Sequence, residues 1–202
     1  MKNLLKVFAI PTIFVSLLGS HHHHQEAKTD TNVQHVDSVE KKKLAKRKLK
    51  WECRNCTPNE KVVLDFLQER GISDKVALSV IMGNIQQESM FNPNICEGGA
   101  RVSYNQCHRG GFGLIQWTTV DRYRGLGHFA SKYGGNPSEL TTQLRYMVNE
   151  PQWVSAEKTF KKKGLNQGQY MNAAYRWLGW GVHGNRTHYS NQFLNRLYQV
   201  DL

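Results

Sequence analysis

From Trp51 onward, apolar residues recur three and four positions apart, broken at intervals by residues that start and stop helices. A mainly helical fold is what such a pattern specifies. Thr57-Pro58-Asn59-Glu60 is a capping box with proline at the first helical position. Val63, Phe66 and Leu67 follow at helical spacing, and Gly71 is placed to end the element. A second helix is expected from Ser73-Asp74, with Val76, Val80, Ile81 and Ile85 on its buried face. It should end near Ser89–Asn92, because Pro93 disfavours helical geometry in the residue before it. Leu126, Phe129, Ala130 and Tyr133 mark a third helix. Asn136-Pro137-Ser138-Glu139 reads as the cap of a fourth that carries Leu140, Leu144 and Met147. Tyr170, Ala173, Ala174 and Trp177 mark a fifth, and Tyr189, Phe193, Leu194, Leu197 and Tyr198 a sixth. Residues 93–116, rich in Gly, Asn and Cys, read as an irregular lobe or short hairpin, with strands expected only between Arg101 and Ile115. The expected class is mainly α, a helical domain with a small loop-rich lobe.

The first fifty residues differ. Lys2 and Lys6 precede an apolar run from Val7 to Leu18. Twelve residues are too few to span a bilayer, which takes about 20, so residues 1–20 read as an export signal. Gly19-Ser20 is the expected cleavage region, with an uncleaved signal or anchor as the alternative. Residues 21–50 read as a basic linker, and residues 51–202 as the domain. His21–His24 and the block Lys41–Lys48 offer little apolar surface to offset the entropy of ordering, so a solvated tether is preferred to a metal-binding histidine run. The formal net charge is +11, shared by both parts: ten Lys/Arg against four Asp/Glu in residues 1–50, seventeen against twelve beyond. A basic surface attracts nucleic acid, anionic lipid or an anionic bacterial envelope, and charge alone does not choose among them. Cys53, Cys56, Cys96 and Cys107 are even in number behind an export-like start, which favours disulfides. A Cys96–Cys107 bridge would stiffen the lobe, while Cys53 and Cys56 either close on each other or pair with the lobe cysteines. A four-thiolate zinc site is the rival, although the second spacing is wide for one.

Two stretches carry chemistry. Glu88 lies three residues after Ile85 and seven after Ile81, on the same helical face. A carboxyl there is partly desolvated, which favours its neutral form and suits it to protonate a leaving oxygen. In Gly110-Gly111-Phe112-Gly113-Leu114-Ile115-Gln116-Trp117-Thr118, the glycines allow close backbone approach, Gln116 offers a donor and an acceptor, and Trp117 a flat apolar face.

Taken together, Asn84-Ile85-Gln86-Gln87-Glu88-Ser89-Met90-Phe91-Asn92-Pro93 and Gly111-Phe112-Gly113-Leu114-Ile115-Gln116-Trp117-Thr118 resemble the phage tail lysozyme family, within the lysozyme-like and lytic transglycosylase superfamily. The resemblance runs over about residues 58–200, and Arg122 soon after the second stretch supports it. It implies a lysozyme-like fold and cleavage of the β-1,4 bond after N-acetylmuramic acid in peptidoglycan, by a muramidase or a lytic transglycosylase. It makes Glu88 the catalytic acid/base, puts Gln116 in the substrate cleft with Phe112 as a further substrate contact, and puts Trp117 and Thr118 at its wall or just behind it. Asn172-Ala173-Ala174-Tyr175 departs in order from the usual third motif, which leaves Tyr175 and Tyr170 as the two candidates for the tyrosine beside the acid. Glu97 and Asp121 are the candidates for a second carboxylate. The chemistry implied needs no metal or cofactor. The partners implied are glycan strands, the anionic envelope through the basic linker and, for a virion-borne form, tail components, with no specific nucleic acid. The expected location is exported, periplasmic or extracellular, or on a virion. Two rivals make different demands. A non-catalytic glycan-binding module on the same fold keeps its binding when Glu88 becomes Gln. A basic nucleic-acid-binding or DNA-delivery protein loses affinity steeply with salt and is indifferent to Glu88.

Overall fold

The computed structural model describes residues 49–201. The expected signal over residues 1–20, His21–His24 and the Lys41–Lys48 block lie outside the described residues. The described chain runs β1 (Leu49–Cys53), α1 (Pro58–Glu69), α2 (Lys75–Ser89), α3 (Val120–Tyr133), α4 (Leu140–Met147), α5 (Pro151–Phe160), α6 (Gln167–Leu178), α7 (Arg186–Arg196) and β2 (Leu197–Asp201). The mainly α class is therefore as expected. Among the described residues no helix is long and apolar enough to cross a membrane.

The helix starts follow the caps. Thr57 accepts from the Glu60 N–H while the Glu60 carboxylate accepts from the Thr57 N–H, closing the capping box. Asp74 accepts from the N–H groups of Val76 and Ala77 at the head of α2. Four expectations are corrected. Asn136 caps only a turn, through the Ser138 N–H, and α4 begins at Leu140 after Glu139 without a side-chain cap. Helix α5 was not anticipated, although Pro151 at its first position and Trp153, Ala156 and Phe160 buried on one face were its signals. Leu197 and Tyr198 do not extend the last helix. They enter β2, which pairs antiparallel with β1 from Leu49↔Asp201 to Cys53↔Leu197. The stretch between Arg101 and Ile115 holds no regular strand: it has a 3-10 turn at Tyr104–Gln106 and residues in isolated bridges such as Cys96↔Phe112. The β pairing joins the two ends of the described chain, and Arg196 ties it to α1 by donating to the Glu60 carboxylate and to the carbonyls of Arg54 and Asn55.

Helix α2 is the axis of the core. Nine consecutive residues, Ala77 to Ile85, are buried, so it is covered on every side rather than on one stripe. Helix α7 packs against it antiparallel at very short range. A Cβ on Gly83 would lie 2.4 Å from the Ser190 nitrogen. One turn further along, the Gln87 side chain accepts from the Asn185 N–H at the start of α7. Gly83→Ala is therefore expected to cost about 1–3 kcal/mol by overpacking the α2–α7 seam, as read by denaturant unfolding; a variant as stable as wild type would mean that the seam yields without strain.

Candidate active site

The end of α2 is sharply made. Met90 and Phe91 both adopt left-handed backbone, with φ of 48° and 61°. Two consecutive non-glycine residues rarely do so, and such strain persists only where the surroundings over-determine it. Here Phe91 is buried edge-on to Phe193, and its carbonyl accepts from the Asn59 amide. Asn92 donates back to the Ser89 carbonyl. The helix thus ends with three residues left before Pro93, earlier than the proline alone requires. Ser89 is buried and donates to the Leu114 carbonyl at 2.7 Å. The residue next to the acid therefore pins the helix to the Gly-rich lobe.

Glu88 sits beside this junction with its side chain only 14% exposed. Its carboxylate accepts a hydrogen bond from Arg186 at the head of α7. Arg186 is itself buried, donates to the carbonyls of Val182 and His183, and lies 4.5 Å over the Trp180 ring. Burial pushes the Glu88 carboxyl above its ordinary value, and the positive charges of Arg186 and Arg122 oppose it. Desolvation wins and the net shift is upward. The ion pair and the raised proton affinity are compatible, because the guanidinium recovers only part of the hydration that the carboxylate loses.

The lobe meets the end of α2 at the Ser89–Leu114 bond. Cys96–Cys107 and Cys53–Cys56 are disulfides, so all four cysteines are bridged and none is left as a thiolate for zinc. Phe112 and Trp117 pair backbone to backbone across a tight turn. Gln116 sits at φ 52°, and its amide donates to the carbonyls of Ile95 and Gly113. Its donors are spent on the lobe itself. Trp117 and Phe112 are fully buried. Trp117 donates from Nε1 to Glu150 and packs on Tyr146, while Phe112 meets Tyr104 and Tyr123 edge-on. Neither ring offers a face to a sugar, because apolar rings at this turn gain more from the core: Trp117 lies behind the wall, one of the two placements expected for it, and Phe112, expected to touch substrate, is packed inside with it. Thr118 is exposed, with its hydroxyl donating to the Gln116 carbonyl. Tyr175 is 53% exposed and edge-on to Trp180, the ring beneath Arg186, whereas Tyr170 is buried and donates to the Lys162 carbonyl. Of the two candidate carboxylates, Glu97 accepts from the Gly111 N–H and Asp121 lies exposed in the first turn of α3. The charges acting on Glu88 are those of cations.

Three supporting side chains escaped the sequence reading. Gln143, fully buried on α4, accepts from the Leu114 N–H and donates to the carbonyls of Pro93 and Pro137. It therefore clamps the loop after the acid to the Gly-rich wall, and a Cβ on Gly113 would sit 2.6 Å from its amide. Glu150 holds Arg122 through two hydrogen bonds and Trp117 through a third. Arg186 comes from the far end of the chain. The only sequence signal for Gln143 was a polar residue between the core positions Leu140 and Leu144.

A central helix ending in a desolvated carboxyl beside a Gly-rich lobe gives this mainly helical domain a lysozyme-like architecture. Residues 58–193 match the phage tail lysozyme family, and the chain belongs to that family. Morphogenesis protein 1 of Bacillus phage B103 is 30% identical over 118 residues, covering 54% of this chain. The chain spans only 29% of that relative's length. No solved structure gives a significant match.

Proposed function

We propose that the chain is a peptidoglycan glycosidase, exported or carried on a virion, which cuts the β-1,4 bond after N-acetylmuramic acid with Glu88 as general acid. The observation that carries this reading is the burial of Glu88 at the helix–lobe junction, which keeps its proton affinity above that of an ordinary glutamate. Glu88 gives its proton to the glycosidic oxygen as the bond from that oxygen to the sugar C1 breaks. The carboxylate so formed is held by Arg186, which limits the cost of leaving a charge in a dry site. It then takes a proton from the water that bonds to C1. Thr118 and Tyr175, both exposed, flank the glycan in this reading. Membership of a lysozyme family favours hydrolysis. A second reading, the lytic transglycosylase reaction, rests on Arg186 and Arg122 being the charges that act on Glu88 among the described residues: without a carboxylate to activate water, the muramyl 6-hydroxyl gives its proton to Glu88 and closes on C1 instead. The basic linker would hold the domain near the anionic envelope.

Digestion of purified peptidoglycan followed by mass spectrometry decides between them. Products gaining water at a reducing end mean hydrolysis, and anhydro ends mean transglycosylation. A folded wild type that releases no fragment removes the proposal.

Arg186→Met is expected to move the alkaline limb of the pH–rate profile upward, because removing the nearest cation leaves desolvation less opposed. A limb that stays in place would show that Arg186 does not act on the acid.

A further inference from the structure

A cavity of about 470 Å³ opens between residues 104–110 of the lobe and the start of α3, and Glu88 is not in its lining. Its walls include Tyr104, His108, Arg109, Thr118, Tyr123 and Arg124. Tyr104 and Tyr123 are stacked at 4.3 Å. Each donates its hydroxyl to the other's carbonyl, and Tyr123 also donates to the Cys107 carbonyl. The Cys96–Cys107 disulfide anchors that edge of the wall. These contacts make the floor rigid before any ligand arrives, which is what a binding constellation needs.

The charged side chains in its lining are cationic, while the carboxylates of Glu97 and Asp121 lie next to lining residues without being part of the lining. Arg70, Arg122, Arg186 and Arg196 all hold carboxylates. Among the described residues the guanidinium groups of Arg109 and Arg124 meet neither an ion pair nor a hydrogen-bond acceptor. Neither Glu97 nor Asp121 pairs with Arg109 or Arg124: Glu97, behind Gly110, accepts from the Gly111 N–H. The cavity is also linked through the lobe backbone to the proposed chemistry. Leu114 bonds Ser89 next to the acid, and Thr118 lies on the cavity wall four residues on, at most about 14 Å along the chain.

We propose that this cavity binds the carboxylates of peptide stems carried by the glycan strand, through Arg109 and Arg124. This rests on the glycosidase reading for its polymer, and deepens it: the enzyme would read the stems as well as the sugars. Phosphate on wall-attached polymers shares the same anionic chemistry and is the source to be separated.

The test is binding by the full chain carrying Glu88→Gln, with and without Arg109→Gln and Arg124→Gln together. The insoluble probes are intact peptidoglycan freed of phosphate polymers, the same glycan stripped of peptides, and unextracted wall. Thermal melting checks that each variant is folded, and a pair of Arg→Lys substitutions at both positions tests charge alone. The Gln pair is expected to weaken binding to intact peptidoglycan about five- to tenfold, as for partly screened charge pairs, and to leave binding to stripped glycan unchanged. The Lys pair should keep most of the affinity. Equal binding by wild-type and Gln-pair cavities, equal losses on intact and stripped glycan, or a loss seen only while phosphate polymers remain would each overturn the proposal. The readout is binding, so its failure leaves the glycosidase reading standing, and a wild type without turnover would leave this result readable.

Discussion

Glu88→Gln is expected to slow peptidoglycan digestion by roughly 10²–10⁴-fold, the usual contribution of a positioned general acid. Glutamine has nearly the same shape and can still accept from Arg186, but it has no proton to give. The same substitution makes a stability prediction of opposite sign. The folded-state proton affinity of Glu88 is raised, so the native state holds a proton that the unfolded chain has already released. That contribution is complete below the unfolded value and is lost as pH rises through the folded one. The melting temperature of Glu88→Gln relative to wild type should therefore climb as pH rises above the ordinary glutamate value of about 4.3. A variant that is inactive yet relatively more stable at neutral pH is the signature of a carboxyl kept for chemistry at the expense of the fold. A difference in melting temperature that falls with pH would show that Glu88 is a stabilising ion-pair member instead.

The second large effect concerns the far side of the lobe. Glu150 is 3% exposed in its side chain and takes both Arg122 and the Trp117 indole. Removing one partner leaves a buried charge without its counter-ion, which is far more costly than never having built the pair. Glu150→Ala is expected to lose about 3 kcal/mol or more of unfolding free energy. Glu150→Gln keeps an acceptor and a similar volume and should lose less. Denaturant titration of both variants checks this. Equal, small losses would mean that Arg122 and Trp117 find other partners readily. The loss should reach the acid too, because Arg122 is one of the two cations acting on Glu88 and Trp117 backs the wall that Ser89 is pinned to.

Local rules made much of this molecule legible before its structure. The Thr57 box, the Asp74 start, the stop after Ser89 and the placement of Glu88 at the end of an apolar stripe all follow from spacing and capping. What escaped was long-range. Arg186 reaches Glu88 across ninety-eight residues, and nothing in its own neighbourhood marks it as buried. Gln143 is a polar residue inside an apolar stripe, and only the tertiary fold brings it the three backbone partners that justify burying it. Trp117 was read for its flat face. An indole whose N–H meets a buried carboxylate is better used inside, and Glu150 lies thirty-three residues away in sequence. The terminal sheet was missed for the same reason: β1 alternates apolar and polar residues but over only five positions, β2 does not alternate, and each needs the other.

Direct titration of the Glu88 side-chain carboxyl by carbon-detected NMR, with Glu88→Gln to assign the resonance, tests the central claim most closely. The account predicts a midpoint clearly above the ordinary 4.5, shifting further upward in Arg186→Met. A midpoint at or below 4.5 would mean that Arg186 outweighs burial, that Glu88 is ionised at working pH, and that it is not the acid.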